Sequence, residues 1–317
     1  MKIHFFGVRG SYDVPKAKMM KYGGHTSSVV VTKKVNGITY PLFIDAGTGI
    51  IDAGKSFIPM FFEKNCPATF TILFSHLHPD HTSGFTFFPF NFIPGVKLNL
   101  LGPSTLKKNV GIVLRDKMAP PTYPIEYKDL KSERIHGVVE DGTVFWIDKT
   151  GNIDKNGPKM KEGPNSNFVY KADSDFVYKI QSMAAYAPSH PQQGAIYYRV
   201  TDCETGKSVV SAWDLESRAG GDQRVIAFSK DADVMIHDTQ YTEEEYKSNK
   251  MVVQGFGHST YEMAIENAEK AGVKTLVPFH YNPNHTDDDL DNIAAKITES
   301  KNNLQVFFAK ENHSLEL

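Results

Sequence analysis

The chain has 317 residues, 40% hydrophobic and 23% charged, with 35 basic against 37 acidic side chains and a formal net charge of −2. This is a globular composition, sufficient for one large domain or two small ones, without the basic excess that a grip on nucleic acid or an anionic membrane calls for. Two cysteines, Cys66 and Cys203, supply no disulfide framework, so a reducing, cytoplasmic setting is expected. No apolar run approaches membrane-spanning length, and residues 1–7 read as a strand rather than a signal peptide.

Residues 2–8 form the first expected strand, closed by Arg9-Gly10-Ser11. Tyr22-Gly23-Gly24-His25 permits a tight turn before a strand over 28–33. Asn36-Gly37 signals a hairpin into a strand over 40–44. That strand ends in Asp45-Ala46-Gly47-Thr48-Gly49, ahead of a helix-like run over 50–57. Asp45 is placed to cap that helix or to stand behind a metal ligand, and the two roles are compatible.

The apolar run 70–74 reads as a buried strand that empties into His76-Leu77-His78-Pro79-Asp80-His81. Three imidazoles and a carboxylate within six positions form a metal-ligand pattern. Alternation about Leu77 sends His76 and His78 to one side. Pro79 turns the chain, so Asp80 and His81 make a second, neighbouring pair. Imidazole and carboxylate without thiolate suit zinc, with manganese or iron as alternatives.

The aromatic stretch 85–92 is expected in the core, with a few rings walling a pocket. A strand over 96–100 and a helix over 104–115 follow, then the proline-rich 120–124. Residues 148–168, rich in Lys, Gly, Pro and Asn, read as an inserted hairpin or loop, a solvated excursion rather than a substrate lid. Strands are expected at 176–183, 195–201 and 207–212. Strand and helix then alternate: 234–237, 260–271, 275–280, 287–299 and 305–308. Two strand-rich blocks with helices outside give an α/β two-sheet sandwich, taken as a single domain over 1–317.

His190, Asp214 and His280 lie beside or at strand ends, where active sites of layered folds gather. His258, in Gly257-His258-Ser259-Thr260, precedes a serine read as the helix cap. Its functional reading sets it near the metals, oriented by Asp238, as a general acid. His4, His136 and His313 are read as structural, and His285 as opening a helix.

Along nearly the whole chain, Arg9-Gly10-Ser11, Tyr22-Gly23-Gly24, Asp45-Ala46-Gly47-Thr48-Gly49, His76-Leu77-His78-Pro79-Asp80-His81, Ser189-His190-Pro191, Asp214, His237-Asp238, Gly257-His258-Ser259-Thr260 and Phe279-His280 resemble the metallo-β-lactamase superfamily. The likeness is to its phosphodiesterase branch: ribonuclease Z and the cyclic-phosphate and cyclic-nucleotide phosphodiesterases, the phage-borne anti-Pycsar type among them. The resemblance implies a four-layer αββα sandwich and two divalent metals, zinc first and manganese second. One metal would take His76, His78, His190 and Asp214. The other would take Asp80, His81, Asp214 and His280, with Asp214 bridging. Asp80, His258 and Asp238 would be the catalytic residues, His258 protonating the leaving oxygen. The implied activity is hydrolysis of a small cyclic phosphodiester, with a cyclic mononucleotide foremost, by a homodimer. A ribonuclease Z-like action on tRNA precursors and a non-catalytic metal-bound sensor are the alternatives. The chain departs from the family at His25, where relatives carry Asn, at Gln192-Gln193, where they carry glycines, and in the 148–168 insertion.

Overall fold

The structure, a computed structural model, describes residues 1–156, 175–185, 194–299 and 304–317. Strand periodicity explains its layers. Ile3, Phe5, Val29, Val31, Leu42 and Ile44 enter one buried cluster together with Val177, Ile180, Tyr198, Val209, Ile236 and Val277. Their chain neighbours Phe6, Val30 and Phe43 face a second cluster with Ala53 and Phe57. Tyr197, Val210, Met235 and Leu276 face a third, with Ala264 and Ala268. Successive strand side chains point to opposite faces, so a strand apolar at every position is buried on both. Two sheets therefore pack face to face, and each carries helices on its outer side.

The first sheet has seven strands, in spatial order Ser314–Glu316, Lys2–Gly7, Ser28–Val35, Ile38–Ile44, Thr69–Leu73, Lys97–Gly102 and Glu133–Val138. The second has eight: Gln305–Val306, Thr275–Phe279, Val234–Asp238, Ser208–Ala212, Ile196–Asp202, Phe176–Ala184, Val144–Asp148 and Ile153–Asp154. Ile38–Ile44, Thr69–Leu73 and Lys97–Gly102 run parallel, as do Ser208–Ala212, Val234–Asp238 and Thr275–Phe279. The carboxyl ends of these parallel strands carry the residues described below.

Several expectations need correction. The first outer helix runs Ile50–Phe62, past its internal Pro59, and its N-cap is Gly49 without a side-chain bond, so Asp45 does not cap it. The helix expected over 104–115 is only Val110–Lys117, capped by Asn109 accepting from the Ile112 N–H at 3.1 Å. Leu106 and Lys107 before it have φ of 49° and 62°, a left-handed pair that no right-handed helix accommodates. The helix Tyr261–Ala271 is capped by Thr260, not Ser259. Phe85, Phe88 and Phe90 are core as expected, whereas Phe87 and Phe92 are exposed. Within the 148–168 stretch, Asp148 to Asp154 turns back as a short hairpin onto Val144–Asp148; its later part, and His190, lie outside the described residues. Both cysteines are buried free thiols, and no described helix is long and apolar enough to cross a membrane.

Candidate metal centre and active site

Asp45, His76, Asp214, Asp238 and His280 all stand at or just past the carboxyl ends of parallel strands, drawn from both sheets. Pro79 occupies the first position of a single helical turn, Pro79–Thr82, which presents Asp80 and His81. Asp80, His81, Asp214 and His280 converge, with one potential ligand atom from each within 4.8 Å of the others. His81 Nε2 lies 3.1 Å from Asp214 Oδ2 and 3.3 Å from Asp80 Oδ2. His280 Nε2 lies 3.3 Å from Asp80 Oδ2 and 3.4 Å from Asp214 Oδ2. The ring of His76 is 4.1 Å from that of His81 and 4.5 Å from that of His78, and its Nε2 is 3.6 Å from Asp214 Oδ1.

These separations test the fit of a metal. A tetrahedral ion with bonds of about 2.0–2.1 Å holds its ligands roughly 3.3–3.4 Å apart. The four imidazole–carboxylate distances fall beside that value. His81 Nε2 is buried and outside hydrogen-bond geometry with any described residue. The donors are imidazole nitrogen and carboxylate oxygen, which suit zinc or manganese. The residues present therefore fit a divalent metal.

The electrostatics agree. Burial works against charge on His81, but the carboxylates of Asp214, Asp80 and Asp45 more than offset it, and its affinity for a proton rises well above the ordinary imidazole value. Burial also opposes ionisation of Asp214, yet His280, His81 and His76 hold its carboxyl well below the carboxylate range. His76, buried and facing the positive His81, is held well below the usual imidazole value. The cluster attracts positive charge, which a divalent ion would satisfy.

A second layer fixes the donors. Asp45 is fully buried and accepts four hydrogen bonds: Ser75 N–H at 2.7 Å, Ser75 Oγ at 2.6 Å, His81 Nδ1 at 2.7 Å and Trp213 Nε1 at 2.6 Å. It thereby leaves His81 Nε2 to face the cluster, the second of its two expected roles. The Ser11 N–H donates to Asp80 Oδ2 at 2.8 Å. Gly10 beside it touches the His280 ring, and a Cβ there would come within 2.4 Å of that ring. Ser11, Asp45, Asp214 and His280 have φ between 54° and 65°, left-handed backbone that costs free energy and gathers at functional sites. Arg9, fully buried, donates to the carbonyls of Gly23, Asn282, His285 and Met19, tying this segment to the turn beyond His280.

His258 Nδ1 lies 2.9 Å from Asp238 Oδ2 and its ring stacks on His280 at 5.0 Å. Asp238 also accepts the Asp214 N–H at 2.9 Å and the Ser259 N–H at 3.0 Å. Ser259 is thus a strut: its Oγ accepts from Ser217 N and donates to Leu215 O. His237, next to Asp238, bonds the Asp238 carbonyl and Asn267 instead, away from the cluster. His4 pairs with Thr32, His136 with Tyr127, His313 with the Glu311 carbonyl and His285 with Glu245. His25 lies against Thr48, 3.6 Å from Asp52. The sequence reading had no role for Ser75, Trp213, Ser11 or Glu216. Ser75 and Trp213 each adjoin a proposed ligand, the only local signal they carry.

Two packed sheets, helices outside and an Asp/His cluster at the strand ends constitute the metallo-β-lactamase fold. The protein resembles YhfI of Bacillus subtilis, a metallo-β-lactamase-fold protein, with a TM-score of 0.58 at 16% identity over 100% of this chain and 99% of that one. Human tRNase Z, short form, matches with a TM-score of 0.54 at 16% identity, over 100% and 99%. In sequence the chain is similar to ribonuclease Z of Thermoplasma acidophilum, 24% identical over 315 residues, covering 90% of this chain and 88% of that one. Ribonuclease Z of Brevibacillus brevis is 24% identical over 241 residues, covering 69% and 70%. No family model matches the chain. These similarities lie in the ribonuclease Z-like, phosphodiesterase branch of the fold.

Proposed function

We propose that this metal-dependent phosphodiester hydrolase acts on a small cyclic phosphodiester, specifically a cyclic mononucleotide. The observation that carries the reading is the Asp80–His81–Asp214–His280 cluster with the Asp238–His258 pair at its flank. Two divalent ions, when bound, would supply a nucleophile at neutral pH and polarise the phosphoryl oxygens. His76, His78, His190 and Asp214 would hold one, and Asp80, His81, Asp214 and His280 the other. Asp45 orients His81, and the Ser11 N–H orients Asp80. With Asp238 accepting from Nδ1, Nε2 is the atom from which His258, as an imidazolium, would give a proton to the leaving alkoxide. Such general-acid help contributes about two to four orders of magnitude in rate. One domain over 1–317 and a homodimer complete the reading.

The named relatives favour a second substrate, a tRNA precursor. Against it stands the balanced charge, 35 basic against 37 acidic residues, since an RNA backbone is gripped by many Lys and Arg contacts. The deciding experiment offers protein loaded with zinc or manganese a panel of cyclic nucleotides, an aryl phosphodiester and a precursor tRNA. Turnover of the cyclic nucleotides is expected. Cleavage of the precursor alone would replace this reading with the ribonuclease one, and no turnover of any substrate would leave a metal-bound sensor.

A further inference from the structure

Phe256 is 53% exposed, and Met251 and Val252 nearby are 68% and 62% exposed. A single exposed apolar side chain needs no explanation, but three within six residues beside a reactive histidine do. The backbone that carries Phe256 is anchored. Gly255 and Gly257 have φ of 85° and 87°, conformations that glycine adopts without strain. Both of their N–H groups are caught by one carboxylate: Gly255 N donates to Glu216 Oε1 at 2.7 Å, and Gly257 N to Oε2 at 2.9 Å. Tyr246 Oη donates to the same Oε1 at 2.6 Å, and Phe256 N donates to the Val253 carbonyl at 3.1 Å. Three consecutive N–H groups are therefore held, with an apolar ring at the apex left in water.

The apex lies two residues before His258 in the chain. Two peptide units allow at most about 7 Å between the Cα atoms of Phe256 and His258. The His258 ring in turn stacks on His280 of the metal cluster. Glu216 lies two residues beyond Asp214, so the arch is fastened to the loop that carries the central carboxylate. Beside the arch is a cavity of about 890 Å³, lined in part by Gly255, Tyr246 and Arg218. Glu216, Glu243, Glu262 and Glu266 also line it. Arg218 and Lys247 stand against these four carboxylates, Lys247 pairing with Glu243 and Lys270 with Glu266, so the wall lacks the basic excess that grips a phosphate backbone.

We propose that Phe256 is the stacking platform for the nucleobase of the substrate, held at the rim of the site by Glu216. This rests on the phosphodiesterase reading and deepens it: the phosphate goes to the metal cluster, and the base goes to the arch. Base–aromatic stacking changes affinity by roughly 5- to 150-fold per base.

The test compares a cyclic mononucleotide with the same cyclic phosphate lacking the base. Phe256→Ala should raise KM for the base-bearing substrate at least about ten-fold more than for the base-free one, and Phe256→Trp should restore the ratio. Equal effects on both substrates would overturn the platform. Weakened binding of precursor RNA with no change for the mononucleotide would also overturn it and assign the arch to RNA. Fluorescence of Phe256→Trp, titrated with a nucleoside monophosphate against ribose phosphate and compared with the parent protein, gives a readout independent of turnover. Quenching by the nucleotide alone supports the platform even if no cyclic nucleotide is hydrolysed, which would overturn only the catalytic reading. Identical responses to the two ligands would overturn the platform even in an active enzyme.

Discussion

Asp45→Asn removes a charge without changing shape, and it isolates what the buried carboxylate does. Asparagine tolerates the left-handed backbone at φ 60°, so backbone strain does not confound the result. Oδ2 accepts from Ser75 Oγ, His81 Nδ1 and Trp213 Nε1, while Oδ1 accepts from the Ser75 N–H. Either orientation of an amide turns an NH2 group toward at least one of these donors. The less costly one keeps three acceptor contacts and sets the amide against the Ser75 N–H. Three bonds to a charged acceptor become neutral, a loss of about 0.5–1.5 kcal/mol each, and the unsatisfied buried donors cost about 1–3 kcal/mol more. The expected destabilisation is thus about 2.5–7.5 kcal/mol, read by urea unfolding of the metal-stripped protein. Metal affinity should fall about 10- to 100-fold, because the support for His81 is weakened, read by competition with a chelating dye. A loss below about 1 kcal/mol with undiminished metal affinity would refute the reasoning.

Asp214→Ala should lose both metals and activity together, measured by elemental analysis beside turnover; retention of both metals at normal affinity would remove its bridging role. His258→Ala should keep its metals and lose far more rate on a diester with an alkoxide leaving group than on one releasing nitrophenolate, which departs without a proton. Asp238→Asn should act in the same direction more weakly, and equal losses on both substrates would leave His258 a phosphate-binding residue. Lys33, buried against Asp202 at 2.5 Å and Glu204 at 2.6 Å, links the two sheets; Lys33→Met should cost about 3 kcal/mol or more in chemical unfolding at neutral pH by stranding the buried Asp202 carboxylate. Glu311 faces the His25 N–H and ring, Arg9 and Asp52, and burial pushes its carboxyl up to about 7 from 4.5. The folded state holds that proton more tightly than the unfolded one, so stability should fall as pH rises from 4.5 through 7, by at most about 3 kcal/mol. Glu311→Gln should flatten that slope in unfolding curves taken across the window; an unchanged slope would exclude Glu311 as its source.

The sequence by itself determined the strands whose both faces are apolar, from residues 28–31 to 275–279, because a two-residue period survives without knowledge of neighbours. It also marked the His76–His81 cluster, since alternation about Leu77 and the turn at Pro79 are local and survive without knowledge of the rest of the fold. Only the tertiary structure decided that Asp45 supports His81 rather than capping the helix after it, because that depends on strand Ile38–Ile44 lying beside Thr69–Leu73. It decided that Thr260 caps the helix and Ser259 ties two loops, a choice between adjacent hydroxyls that local pattern leaves open. It brought Asp214 and His280 within 3.4 Å of each other, although 66 positions separate them, because their strands flank Val234–Asp238 in one sheet. It also revealed Glu216, whose three hydrogen bonds to the arch come from residues 30 to 41 positions away. Local spacing governs what lies within a turn or a strand, whereas sheet order governs which strand ends meet, and the candidate site is assembled where the ends of both sheets meet.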